Sequence, residues 1–164
     1  MDSAFGILAV AGGFMVFFLI LVVALYVISA LAFSKALKTV GYKYPWFAWI
    51  PFLNLYALTD AALDTDDDAK RILFNKVNIT KQIAKFWIVA YIIIGRIPTV
   101  GSYIAMALMV LVMGPVYALL YAKIEEKTYE DTQVLGYVSA FIPIVPVFKW
   151  LGLKTKKTAE LDVK

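Results

Sequence analysis

The sequence contains no cysteine and no histidine among its 164 residues. The absence of cysteine excludes disulfides, iron–sulfur clusters and thiol nucleophiles. The absence of histidine removes the commonest metal ligand and the commonest general base. Charged residues are also scarce, at 17% of the chain, where a soluble domain has about 25%. These shortages argue against an enzyme and predict no metal or other cofactor.

Hydrophobic residues are abundant instead, at 62% of the chain, where a soluble domain has about 45–50%. A core of this size cannot hide so many apolar side chains from water. The same excess excludes intrinsic disorder. The composition therefore predicts a small, basic, all-α integral membrane protein with a single membrane domain over residues 1–164.

The first apolar segment is long enough to cross a membrane by itself. Residues 3–34 carry no charge, and at about 1.5 Å per residue they exceed the ~30 Å hydrocarbon core of a bilayer. The start of the chain carries Asp2 and no basic residue, and no small-residue cleavage site follows the run, which disfavours a secretory signal peptide. We expect transmembrane helix 1 over about residues 5–34.

Two later apolar segments are broken by prolines. Residues 44–58 contain Pro45 and Pro51 among aromatic side chains, and residues 132–150 contain Pro143 and Pro146. Proline interrupts a helix, and Trp and Tyr favour the headgroup level of a membrane. We therefore predict two interfacial or re-entrant segments. The first of them presents the side chains Trp46, Trp49, Pro51, Asn54 and Tyr56.

The two proline-broken segments also share a short sequence echo. Residues 48–54 read Ala-Trp-Ile-Pro-Phe-Leu-Asn, residues 140–146 read Ala-Phe-Ile-Pro-Ile-Val-Pro, and a third Ile-Pro pair stands at residues 97–98. Broken helices in matching halves of a membrane protein can mark a binding site. The alternative is that each Ile-Pro pair only stops a helix near an interface.

Between these segments we predict a surface helix followed by a helical hairpin. Residues 60–85 begin with aspartates and continue with lysines, which is typical of an amphipathic cytoplasmic helix. The hairpin covers residues 81–123, with helix 2 over about 81–96, a turn at 97–99, and helix 3 over about 100–123, kinked at Pro115. Helix 2 is short for a span, so a half-spanning helix is the alternative. A polar tail covers residues 151–164.

The distribution of basic residues predicts the topology. Residues 35–85 carry eight Lys or Arg and residues 1–13 carry none, and basic loops stay in the cytoplasm. We expect three spans, with the N-terminus outside and the C-terminus in the cytoplasm. The alternative has four spans, in which residues 132–150 cross the membrane and the basic tail lies outside.

Small residues form two stripes on helix 3, one at Gly101 and Ala105 and the other at Gly114, Ala118 and Ala122. Such stripes let helices approach closely. Two alternatives stay open, because the facing helix belongs either to another chain or to this one. If it belongs to another chain, a Gly114→Leu substitution is expected to weaken assembly without preventing membrane insertion.

The basic residues near the end of the chain predict contact with lipids. Lys149, Lys154, Lys156 and Lys157 stand around Trp150 and suit the anionic headgroups of a membrane surface. The pI of about 9.2 arises from such juxtamembrane lysines. We therefore expect membrane lipids as partners and no nucleic acid.

Four features together resemble a known group of proteins. They are the first span, the pattern Trp-x-x-x-Ile-Pro-Phe-Leu-Asn-x-Tyr over residues 46–56, Ile-Pro-x-x-Gly over residues 97–101, and the closing Ile-Pro segment at residues 140–146. This combination resembles a broad group of small bacterial multi-pass membrane proteins, some of which are joined to or labelled as signal peptidase. The resemblance implies the bacterial inner membrane. No residue here matches a peptidase dyad, so no peptidase activity is implied.

Three functions remain in consideration. The leading hypothesis is a non-enzymatic accessory or scaffold subunit of a larger bacterial membrane complex, which docks through helix 1 or helix 3 on another membrane protein or on a second copy. The first alternative is a self-associating, holin-like or channel-like pore, although few polar residues are present to line a lumen. The second is a lipid- or peptide-binding protein of the immunity type, which uses the two Ile-Pro segments as its site.

Overall fold

A computed structural model describes residues 2–72 and 78–153, with side chains described from residue 11 onward. Within these ranges the chain is helical and contains no strand, so the prediction of an all-α fold is confirmed. The elements are α1 (Asp2–Thr39), a 3₁₀-helix (Pro45–Trp49), α2 (Leu53–Ala62), α3 (Asp66–Ile72), α4 (Lys81–Ala84), α5 (Trp87–Gly95), α6 (Gly101–Glu125), α7 (Tyr129–Phe141) and α8 (Ile144–Leu151).

Helix α1 has an exposed part and a buried part. It extends beyond the predicted residues 5–34 at both ends and takes Lys35 and Lys38 into its last turns. Residues 11–28 are exposed along their whole length, whereas Ala32, Ala36 and Leu37 are buried against the rest of the chain. Most of the folded body therefore packs around the last ten residues of α1, and residues 11–25 extend from it as an exposed apolar helix.

The other long helix, α6, forms its closest packing with α7. A capping box at Thr128 and Asp131 begins α7, which then runs back along α6 because the connecting loop is short. The Thr132 hydroxyl donates to the Ala118 carbonyl at 2.8 Å, and the Tyr121 and Ser139 hydroxyls lie 2.8 Å apart. Helix α6 passes through Pro115 as a single element.

The first proline-broken segment folds back on itself beside α1. The chain leaves α1 through Gly41, at φ 74°, and the 3₁₀-helix runs along α1 until the Trp49 carbonyl accepts a hydrogen bond from the Tyr26 hydroxyl. After the break at Pro51, α2 returns to the level of the turn, where Asp60 meets Tyr42.

The second proline-broken segment has the same course. The chain bends by 118° between α7 and α8, and the break falls at Pro143. Arg71 lies over the ring of Tyr129 at the start of α7, and Lys149 near the end of α8 pairs with Glu125. The start of α7 and the end of α8 therefore lie at the same end of the molecule. We call this end, which also contains Tyr42 and Asp60, the polar end.

The structure corrects the prediction of an unbroken helix 2 over residues 81–96. The chain interrupts it after Ala84, and α5 begins only at Trp87. The nine residues of α5 cover about 14 Å, roughly half of a ~30 Å hydrocarbon core. In the described part of the chain, two helices are long and apolar enough to cross a membrane, α1 and α6, or three spans result if α7 and α8 together count as one.

The core lies where the long helices and the two fold-back segments meet. Trp150 of α8 is fully buried, and its ring lies 5.7 Å from that of Phe33, 5.6 Å from that of Tyr117 and 5.5 Å from that of Tyr121. Aromatic contacts of this geometry stabilise beyond the area that they bury. This cluster joins α8 to both α1 and α6.

Substitution of Gly136 by alanine tests the α6–α7 packing. A Cβ atom at this position would lie 2.4 Å from the Gly114 carbonyl oxygen and 2.6 Å from the Ala118 nitrogen. Because backbone atoms of a helix cannot move aside, we expect Gly136→Ala to lower the free energy of unfolding by about 1–3 kcal/mol. Thermal and denaturant unfolding in detergent, followed by tryptophan fluorescence, measures the loss.

Gly152→Ala is the matched control. A Cβ there would lie 3.7 Å from the Lys149 carbonyl oxygen, which is an ordinary contact, and Gly152 already has right-handed helical angles. An equal loss of stability in the two variants would contradict the packing described for Gly136.

Candidate functional site

A polar cleft of about 820 Å³ opens at the polar end of the molecule. It lies between the turn after α1, the inner face of α2 and the end of α6. Its walls are formed by residues 39–44, Phe47, Tyr56, Asp60, Ala61, Asp64 and Lys123.

Most of the charges around this cleft are paired within the chain, and Lys43 instead lies over the ring of Tyr44. Lys123 donates to the Ala61 carbonyl at 2.7 Å and forms an ion pair with Asp64 at 2.8 Å. Asp60 accepts from the Tyr42 hydroxyl at 3.0 Å and pairs with Lys85 at 3.4 Å. Burial and the Asp60 carboxylate raise the pKa of Tyr42 well above its usual value, so this hydroxyl remains a donor. These contacts tie α2 to α4 and α6, which is a structural role.

A second cavity is an apolar groove of about 590 Å³ beside the α5–α6 hairpin. Its walls come from α5, the first half of α6, the end of α7 and the first proline break. They are formed by Phe52, Tyr91, Ile92, Gly95, Arg96, Ser102, Ala105, Met106, Met109, Val110, Ala140 and Phe141.

Each of the three Ile-Pro pairs is adjacent in sequence to a residue that lines this groove. Phe52 directly follows the first pair, Arg96 directly precedes the second, and Phe141 directly precedes the third. Ile50 and Ile142 have similar extended φ angles, −111° and −118°, because the residue before a proline is kept out of the helical region. The sequence echo therefore corresponds to a repeated helix–break–helix turn, and the breaks bring their neighbours to one place.

The small residues of helix 3 pack within the chain. Gly114 and Ala118 lie against Gly136 and Tyr137 of α7, and Ala122 is half-buried one turn further on.

The other small stripe faces α5. A Cβ at Gly101 would lie 2.2 Å from the Ile94 carbonyl oxygen, and a Cβ at Gly95 would lie 3.8 Å from that of Ala105. Of the two alternatives left open by the sequence, the described packing is the intramolecular one. Gly114→Leu is thus expected to disturb the fold itself, not only assembly.

The predicted aromatic segment is largely on the surface. Trp46 and Trp49 are exposed, while the Tyr56 ring packs on Phe86. The Asn54 side chain accepts from the backbone N–H of Leu55 at 2.7 Å, close after the turn at Pro51. These five residues shape the first fold-back segment, and none of them lines the apolar groove.

The predicted lipid-contacting lysines differ in their surroundings. Lys149 is paired with Glu125 and lies over the ring of Tyr121, so its charge is already balanced. Lys154, Lys156 and Lys157 lie outside the described residues.

Sequence reasoning did not select Arg96, Phe52 or Phe141 as site residues. The sequence did contain a signal that marks Arg96 as a candidate, because it is the only charged residue between Lys85 and Lys123. No comparable signal marks the two phenylalanines, because apolar aromatic residues are common throughout this chain.

Comparisons with protein-family models, curated proteins and solved structures find no match to this chain. Its function is therefore argued from the geometry and the chemistry of the described residues.

Replacement of Lys123 tests the structural role of the polar cleft. We expect Lys123→Met to lower the free energy of unfolding by about 1–2 kcal/mol, because it removes a charged donor from a carbonyl at the end of α2. Thermal unfolding in detergent measures this. Lys127→Met is the control, since Lys127 pairs with Glu125 on the exposed surface, where a pair contributes about 0–1 kcal/mol. A larger loss at Lys127 than at Lys123 would contradict the assignment.

Proposed function

We propose that this chain is a non-enzymatic accessory subunit of a bacterial inner-membrane complex, which docks on a partner through the exposed part of α1. The partner surface is a membrane-spanning helix of another protein. This proposal keeps the leading function expected from the sequence and, of the two docking helices expected there, helix 1 and helix 3, it selects helix 1, which is α1.

The observation that carries the proposal is the contrast between two sets of glycines. Gly101, Gly114 and Gly136 each lie where a Cβ would collide with the chain itself. Gly12 and Gly13 lie within α1, and a Cβ there would meet nothing within 4 Å. Glycine inside a helix costs about 0.5–1 kcal/mol relative to alanine. Because the described part of the chain gives no packing reason for the pair, a close approach by a second helix supplies one.

The course of the fold-back segments supports the topology in this proposal. Each begins and ends at the polar end of the molecule, where Lys35, Lys123 and Lys149 also lie. With this end in the cytoplasm, the basic residues follow the positive-inside rule. The α7–α8 pair then re-enters rather than crosses, and α4 with α5, residues 81–95, makes the third crossing besides α1 and α6. The N-terminus is thus outside and the C-terminus inside.

The paired charges of the polar cleft support a non-enzymatic role. Its carboxylates and lysines hold neighbouring helices together, and a general acid or base needs a group that is available to a substrate. The apolar groove supports the pore hypothesis poorly, since a conducting lumen needs polar lining.

Replacement of the two free glycines tests the docking surface. We expect Gly12→Leu together with Gly13→Leu to reduce co-purification of a partner membrane protein in mild detergent at least about fivefold, because close packing of helices in lipid depends on small residues. The yield of the chain itself should not change. Quantitative mass spectrometry of material purified from the native host provides the measurement.

Phe18→Leu is the matched control, because Phe18 is exposed and lies about 120° from Gly12 and about 140° from Gly13 around the same helix. Loss of the partner in this variant, or its full retention in the double glycine variant, would overturn the proposed docking surface.

Single cysteines test the topology, since the chain contains none of its own. With an impermeant maleimide added to intact cells, we expect labelling of Ser3→Cys and Ser102→Cys, and protection of Lys127→Cys and Gly152→Cys until the cells are lysed. Labelling of Gly152→Cys from outside would instead support the four-span alternative.

A further inference from the structure

We propose that the apolar groove binds one acyl chain of an anionic phospholipid, whose phosphate is held by Arg96. This goes beyond the accessory role and does not rest on it, because the groove lies on the α5–α6 hairpin and not on the exposed part of α1.

The first argument is the charge of Arg96. Its side chain lines the groove, and neither an ion pair nor a hydrogen bond from its guanidinium occurs in residues 2–72 and 78–153. The basic residues around the polar end, by contrast, are mostly paired. The guanidinium is exposed and therefore accessible to an anion, and its planar donors match a phosphate group in a bidentate manner.

The second argument is that Ser102 lines the same groove as Arg96. Among the described residues its hydroxyl reaches only the Thr99 carbonyl, at 3.5 Å, which is a weak contact. It is therefore able to donate to the same phosphate. Both polar side chains lie at the hairpin tip, so the groove has one polar end.

The third argument is the composition of the remaining wall. From Ser102 the groove follows α6 to Val110, a distance of about 12 Å along the helix axis. Along this path it is lined by Ala105, Met106 and Met109. Methionine side chains adapt to irregular apolar partners, which suits the flexible chains of a lipid.

The volume of the groove argues for a lipid rather than a protein helix. One turn of helix with its side chains, about 11 Å wide and 5.4 Å long, already fills about 500 Å³. The groove holds about 590 Å³, so a helix would fit little beyond one turn. Acyl chains are narrow, and volumes of about 300–1,000 Å³ are typical of small-ligand sites.

Native mass spectrometry of the full chain in detergent micelles tests the proposal. The protein is titrated with dioleoyl phosphatidylglycerol, dioleoyl phosphatidylcholine and oleate. We expect the phosphatidylglycerol to bind most tightly and Arg96→Gln to weaken it about fivefold. Phosphatidylcholine, whose own choline cation balances its phosphate, should lose less. Arg96→Lys should retain most of the preference, because it keeps the charge.

Two further variants test the groove itself. Ala140→Leu fills part of it and should weaken both phospholipids, whereas Val134→Leu, which lies on α7 outside the groove, should weaken neither. If Ala140→Leu unfolds, Met106→Trp fills the groove from an exposed position instead.

Several results would overturn the proposal. Equal loss of phosphatidylglycerol binding in Arg96→Gln and in Lys43→Gln, a loop variant, would show attraction to surface charge only. Equal affinity for the two phospholipids would remove the role of Arg96. Tighter binding of oleate than of phosphatidylglycerol, with the same dependence on Arg96, would make a fatty acid the occupant.

Discussion

The direct contact between the backbones of α6 and α7 at Gly136 is the constraint on which much of the structure depends. Because no Cβ fits between them, the two helices lie close enough for Thr132 and Ser139 to bond to α6. The end of α7 is thereby fixed beside Val110, and α8 is delivered to its place against α1. Trp150 of α8 packs there against Phe33 of α1 and against Tyr117 and Tyr121 of α6.

Breaks at proline determine what stands at the surface. In the first and third breaks an extended isoleucine separates two short helices that both remain on one side of the molecule. Such a turn leaves aromatic side chains exposed near the break, here Phe52 and Phe141. The hairpin turn adds Arg96. The groove, whose lining includes one cation, Arg96, therefore results from the local backbone conformation at the three Ile-Pro pairs.

The charges of the molecule are unevenly distributed between its ends. At the polar end the main-chain carbonyls of α2 and α8 accept from Lys123 and Lys35, and carboxylates balance several other lysines. At the hairpin tip one guanidinium stands without such partners among the described residues. In the proposed membrane setting, an unbalanced charge at a helix end is expected to meet a lipid headgroup. The two ends therefore differ. At the polar end most charges are paired within the chain, whereas the Arg96 guanidinium at the hairpin tip is available to bind an anion.

The sequence by itself determined the helical class, the long apolar helix α1, the fold-back segments and the positions of their breaks, because apolar runs and prolines act locally. It also identified Gly114 and Ala118 as packing residues. Only the tertiary structure decided that they face α7, since a small side chain indicates close approach but not by which helix. It likewise decided the interruption before Trp87, which no proline or glycine marks. The meeting of Phe52, Arg96 and Phe141 was beyond the sequence, because residues far apart in the chain become neighbours only when the helices between them are packed.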